Sequence, residues 1–264
     1  MDFLRRELAP LIDSAWAAID DEARSILTTN LSGRRVVDLR GPEGWSLSAI
    51  NLGRLSKGES SDGLSWGVRQ VQPLVELRVP FSVSLSELDN LARGADPVEL
   101  GPVSEAAMRA ARFEERAIYE GFAGANIRGL RESSEHETVT IGAGEPAELL
   151  DAVTRGLVVF HDAGVVGPHT LVLGPKLYER VLSDNSAYPL RQQLTKLLGQ
   201  PPIYSPELDG VGLLLSTRGG DFELTLGQDM SIGYSSHQGD SVELFITETL
   251  TFRVLGPEAI VKLG

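Results

Sequence analysis

The stretch VQPLVELRVPFSVSL, Val71 to Leu85, decides the fold. Its odd positions are Val71, Val75, Leu77, Val79, Phe81, Val83 and Leu85; its even positions are mostly polar, and Pro73 and Leu74 interrupt the pattern. A period of two marks a strand with one apolar face. Read as one strand at roughly 3.3 Å per residue, the stretch spans about 50 Å. A compact domain of this chain length has a radius of gyration of only about 18 Å. Such a strand projects as an arm. Pro73 and Pro80 have no backbone N–H, so neither fits a strand paired on both sides. The bland alternative is two strands with a bend at Pro80. A projecting arm with an apolar stripe must be covered by another molecule, which predicts obligate assembly.

Working outward, Leu4, Leu8, Leu11 and Ile12 form a stripe that Trp16, Ile19, Ala23 and Ile26 continue. This predicts a short helix broken at Pro10 and a longer one capped by Asp13 or Ser14. RRVVDLRG (34–41) reads as a short strand, and residues 53–66 read as a polar loop or hairpin tip. Helical spacing recurs from Ser104 to Glu120, from Pro146 to Phe160, and over 175–182 and 188–198. HTLVL (169–173) and VGLLLS (211–216) read as buried strands of a mixed subdomain. VELFITETLTFRVL (242–255) alternates again and places Glu248 on its apolar side. The predicted class is α+β.

The chain has 264 residues, 42% of them hydrophobic, enough for one large domain or two small ones. The net charge of −13 repels nucleic acid, whose binding needs Lys and Arg against phosphates. There are no cysteines, which excludes disulfides, thiolate metal sites and thiol nucleophiles. No apolar run approaches the roughly 18 residues of a membrane span, and the N-terminus lacks the apolar core of a signal peptide. A cytoplasmic protein without membrane or nucleic-acid partners is expected.

One segment looks like an active site. RGGDFELTLGQDMSIGY, Arg218 to Tyr234, holds Arg218, Asp221, Gln228 and Asp229 among glycines. The partners that chemistry needs are missing. The chain has no phosphate-binding loop, dinucleotide fingerprint, HExxH or GxSxG. His136, His161, His169 and His237 have no local metal-ligand spacing. Ser235, His237 and Asp240 lie in six consecutive residues, SSHQGD, which read as a hairpin turn rather than a triad assembled across a fold. Glu248 reads as the partner of an arginine or part of a subunit contact. Gly219 and Gly220 read as a turn, and Asp229 as closing another on its own backbone. No catalytic residue, metal site or enzyme activity is expected.

These residues resemble the encapsulins, proteins that form empty icosahedral shells. The resemblance runs the length of the chain: MDFLRRELAPL, GRRVVDLRGPEGW, PLVELRVPFSVSLSELDNLARG, RGGDFELTLGQDMSIGY and LFITETLTFRV. It implies the tailed-phage major capsid fold of the Hong Kong 97 type. A peripheral domain would take residues 1–45, 85–131 and 222–255. An extended arm would take 46–84, and an axial domain 132–221 and 256–264. About sixty copies make the smallest icosahedral shell.

The resemblance also implies sites. Ser183, Asp184, Asn185, Ser186, Ala187 and Tyr188 would line a five-fold pore, where repeated Asp184 gives an acidic ring that attracts cations. A cargo enzyme, a ferritin-like iron oxidase or a dye-decolourising peroxidase, would carry a C-terminal targeting peptide. That peptide would lie extended on the inner wall, held by main-chain hydrogen bonds and side-chain pockets. Its seat would use Arg34, Asp38, Leu39, Leu226, Asp229, Ile232 and Tyr234. Flavin-binding members carry a tryptophan in the segment matching SLSELDN; Ser86 stands there, so no flavin cofactor is expected. Two other readings remain: a phage or prophage capsid protein of the same fold, and a free-standing hydrolase or protease.

Overall fold

The run Ser241–Val254 is one strand of 14 residues, and the larger sheet is built on it. The computed structural model describes the chain except residues 1, 2, 59–62, 143 and 145. In chain order the first elements are α1 (Asp13–Asn30), β1 (Asp38–Arg40), β2 (Ala49–Lys57), β3 (Gly67–Pro73), β4 (Val75–Ser84), α2 (Leu85–Ala92) and α3 (Gly101–Tyr119). Then come β5 (Gly121–Phe122), β6 (Ile127–Arg128), α4 (Leu130–Ser133), α5 (Pro146–Asp162), β7 (His169–Leu173), α6 (Pro175–Ser183) and α7 (Leu190–Leu198). Strands β8 (Ile203–Tyr204), β9 (Gly212–Ser216), β10 (Phe222–Leu226), β11 (Ser231–Gln238), β12 (Ser241–Val254) and β13 (Ile260–Leu263) follow.

One edge of β12 carries β4, in register from Ser241 opposite Ser84 to Leu250 opposite Val75. The other edge carries β11 and then β10, both antiparallel, and β1 adds parallel to β10. Beneath this sheet runs α3. Its first turn holds Pro102, whose missing N–H costs nothing there. Ala106, Ala107, Ala110 and Ala111 are fully buried along it. With nothing beyond Cβ at these positions, the helix packs closely against both α1 and the sheet. Trp16, Ile19 and Ala23 of α1, Val79, Phe81 and Val83 of β4, and Leu244 and Ile246 of β12 complete one core.

A second sheet has the order β13-β9-β7-β8, with α5, α6 and α7 packed against it. Its strands HTLVL and GLLLS are buried almost throughout, as their unbroken apolar runs predict. The chain leaves β12, crosses at 255–259 and returns as β13 beside β9.

The decisive stretch differs from its expected form. Val71–Ser84 is two strands that part at Leu74, and Leu85 opens α2. Strand β4 belongs to the larger sheet, so the projecting part ends near Pro73 rather than at Ser84. Pro80 does not bend the chain; it lies opposite Phe245 on the outer edge strand, where its missing N–H breaks no ladder. The arm is instead a separate ribbon of β2 and β3. An isolated two-stranded ribbon is marginal in water, and this one presents apolar side chains. Leu55 is 65% exposed, Trp66 55%, Val68 58% and Val71 53%. The first long helix begins at Asp13, with Ile12 as its cap. Among the described residues, no helix is long and apolar enough to cross a membrane, and no group of three or more His, Asp or Glu side chains is arranged to hold a metal ion.

The ribbon contributes little to the core of its own subunit, so its apolar residues can be removed without unfolding the chain. Replacing Leu55, Trp66 and Val68 together by Ser should leave the far-ultraviolet circular dichroism unchanged. The same variant should lose assembled particles in size-exclusion chromatography.

Candidate functional site in the groove beside the first helix

A groove of about 560 Å³ lies between α1 and the start of β11, within the size range of ligand sites. Ala23 and Leu27 of α1 form one wall; Met230, Ile232 and Ile246 form the other. Asp20 of α1 holds Arg6 at 2.7 and 3.2 Å, and the Arg6 guanidinium lies 4.0 Å over the Trp16 ring, which fixes one end. The N-terminal segment runs beside β11: the Tyr234 N–H donates to the Leu4 carbonyl at 2.8 Å. That edge of β11 therefore already offers an N–H to main chain from outside the sheet.

At the other end stands Arg34. Its Nε donates to Glu114 at 2.8 and 3.0 Å. Its Nη2 donates to Glu114 at 2.6 Å, to Asp229 at 2.8 Å and to Glu248 at 2.9 Å. Glu114 and Glu248 are fully buried, while the Asp229 side chain is 42% exposed. Burial opposes the charge on Arg34, but the hydrogen bonds and charges of Glu114, Asp229 and Glu248 outweigh it, so its pKa is raised. Burial pushes the Glu248 carboxyl well above the usual range, and the Glu114 carboxylate pushes it further.

Glu115, next along α3, faces the other side of the same turn. It accepts the Gly33 N–H at 2.6 Å and a short hydrogen bond from Ser32 Oγ, and Ser32 Oγ also meets the Tyr119 hydroxyl at 3.0 Å. Burial pushes Glu115 up to about 7. Gly33 lets the turn sit close to α3: a Cβ would lie 2.6 Å from the tip of Ile118 and 3.0 Å from the Glu115 carboxyl, so both side chains would have to shift. The two glutamates thus grip residues 32–34, the link from α1 to β1.

Of the expected seat residues, Arg34, Asp229 and Ile232 line this groove. Tyr234 borders it through its main chain, while its hydroxyl meets His237 Nδ1 at 2.6 Å. The structure does not bring Asp38, Leu39 and Leu226 there. Leu226 is fully buried opposite Leu250, Leu39 is 48% exposed on β1, and Asp38 accepts the Gly220 N–H at 2.6 Å. Strand β1 lies beyond β10, away from β11. Asp20, Leu27 and Glu114 were not singled out from sequence. The only signal for Glu114 is an acid in an alanine-rich buried stripe.

The remaining motifs have structural roles. Arg218 and Asp221 form a two-bond pair at 2.9 Å, and the Asp221 carbonyl accepts the N–H groups of Leu255 and Gly256. This ties the start of β10 to the crossing before β13. Asp229 accepts the N–H of Met230 at 2.8 Å, as a turn residue should. Glu248 is paired with Arg34. His237 and Asp240 do not meet; Asp240 instead accepts from Ser84 and Ser86 at the start of α2. Ser86 is held in that cap and offers no ring face. In the loop before α7, the Asp184 carboxylate accepts the N–H groups of Ser186 at 3.0 Å and Leu190 at 2.6 Å, and the Ser186 hydroxyl. These backbone bonds hold its pKa below the usual range.

The architecture is that of a capsid subunit. It resembles the virus-like particle of Pyrococcus furiosus with a TM-score of 0.66 at 18% identity, over 96% of this chain and 100% of that one. It resembles the capsid of a native GTA particle with a TM-score of 0.58 at 15% identity, over 88% and 89%. At such identities the likeness shows the fold alone. The sequence goes further. Residues 1–251 match the profile of the family described as an encapsulating protein for peroxidase. The chain is 44% identical over 275 residues to the type 1 encapsulin shell protein of Rhodospirillum rubrum, covering 100% of this chain and 96% of that one. It is 40% identical over 266 residues to that of Mycobacterium tuberculosis, covering 100% of both. The chain belongs to the encapsulin shell proteins, whose subunits form a capsid-like compartment.

Glu115 makes stability depend on pH. Its folded pKa is raised above its unfolded value of 4.5, so the folded state holds the proton more tightly. Stability is then highest below about pH 4.5 and falls by about 3 kcal/mol as pH rises to about 7. Urea unfolding across this window should show a steeper decline for the native chain than for Glu115→Gln.

Proposed function

We propose that this shell encloses a cargo enzyme and holds it by an extended C-terminal segment docked in the groove between α1 and β11. The groove carries the reading. It has an apolar floor at Ile232 and Ile246, a fixed cation at Arg34, and a strand edge that already pairs with the main chain of Leu4. Extended peptides are recognised by such combinations of edge hydrogen bonds and pockets. The cargo is a dye-decolourising peroxidase or a ferritin-like iron oxidase; the description of the matching family favours the peroxidase. About sixty subunits form the smallest closed shell of this symmetry.

Ile232 is 5% exposed and lines the groove without serving the ribbon. Ile232→Asp should therefore leave shells intact. Co-expressed with a fluorescent protein fused to the C-terminal tail of a dye-decolourising peroxidase, the variant should yield empty particles while native shells co-purify with the reporter. Equal loading of both would contradict the docking site.

A further inference from the structure

Three carboxylates converge on one guanidinium, and two of them, Glu114 and Glu248, have no access to water. If both buried carboxyls were ionised, they would leave one negative charge that Arg34 does not compensate and water does not reach, while Asp229 keeps its access to solvent; a dry site does not tolerate such a charge. Glu248 Oε1 accepts from Arg34, but Oε2 is buried with no hydrogen-bond donor among the described residues. Glu114 and Glu248 accept from the same Arg34 Nη2, at 2.6 and 2.9 Å, which brings the two buried carboxyls side by side. Two carboxylates cannot bond to one another; a carboxylic acid and a carboxylate can. Arg34 spends Nε and Nη2 on this cluster, whereas Nη1 has no partner among the described residues and Arg34 borders the groove.

We propose that Glu114 and Glu248 are positioning residues for peptide docking: they share one proton beneath Arg34, and that proton leaves Arg34 Nη1 free to donate to a carbonyl or carboxylate oxygen of the docked peptide. This rests on the groove being the docking site. While the proton is present, Glu248 Oε2 donates to Glu114 and needs nothing from Arg34. When it leaves, Oε2 becomes a buried anion without a donor. Nη1 is the free donor on the same guanidinium, so Arg34 turns inward and the peptide loses its contact. Docking is tight at low pH and weakens as pH rises. The raised pKa of Glu248, caused first by burial, agrees with this direction.

The other charged and titratable groups around the pair are few. Glu115 and Tyr119 on α3 face the Ser32 and Gly33 side of the turn, with Arg35 near Tyr119. Asp229 stands at the groove. From α1, Asp20 is held by Arg6, and Arg24 pairs with Asp21. From β4, Leu77 is opposite Glu248 and brings no charge, and Arg78 stacks on Phe245.

The test uses intact shells loaded with the fluorescent fusion, because protons are small enough to enter a closed shell and the reporter stays inside. Time-resolved anisotropy separates docked reporter, which turns slowly, from released reporter. As pH is raised above neutral, the released fraction should rise several-fold in native shells. Glu248→Gln mimics the protonated acid: Gln Nε2 donates to Glu114 and Oε1 accepts from Arg34. It should load as the native shell does and show no pH dependence, whereas Glu248→Ala should load poorly at every pH. Native shells that load normally but release nothing at high pH would overturn the proposal and leave the docking site standing. Native shells that never load would overturn the docking site itself. Infrared spectroscopy of empty shells gives a readout independent of loading. The carbonyl stretch of a protonated carboxyl should be present at neutral pH and reduced in Glu248→Gln; identical spectra would rule out the shared proton.

Discussion

Arg34 holds together parts of the chain that lie far apart in sequence. Through Glu114 it is fixed to the long helix, through Glu248 to the central strand, and through Asp229 to the turn that opens β11. Glu115 grips the residues just before it from the same helix. The connection from α1 to β1 is thereby locked between helix and sheet, and α1 is set at the distance from β11 that makes the groove. Buried ion clusters rarely add net stability over an apolar core, because desolvation offsets the attraction. Their use is to fix one geometry. Removing one partner here would leave a buried charge without compensation, which is far more costly than the cluster is beneficial.

The second constraint is the ribbon. Leu55, Trp66, Val68 and Val71 are left uncovered by their own subunit, and among the described residues its two strands pair only with each other. The subunit is therefore complete in its two cores and incomplete at this projection. That is the physical content of being a shell protein: the chain folds alone but leaves apolar surface that another copy must bury.

Much of this was legible in the sequence. The alternation in 71–85 and 242–255 marked the strands that now pair, and Glu248 was recognisable as an acid on an apolar face. The break at Leu74 was not legible, because a period of two reports a pleated chain and not its partner. The same pattern serves β3 in the ribbon and β4 in the sheet. Glu114 and Glu115 were missed because glutamate is a good helix former and reads as a solvent face. Only the neighbouring alanines, which bring two layers close, reveal that this turn of helix is inside. Asp38, Leu39 and Leu226 do not line the groove, for a related reason. They lie close in sequence to groove residues, but the strand order β1-β10-β12-β11 separates them in space. Asp184 was legible as an acid in the loop before α7; that its carboxylate is bonded into its own loop was not.

The most direct test is electron microscopy of the native chain expressed alone and treated with nuclease. Uniform, closed, empty particles are expected, because the ribbon and the two cores suffice for assembly. Monomers or small oligomers, or particles that form only around nucleic acid, would contradict the account.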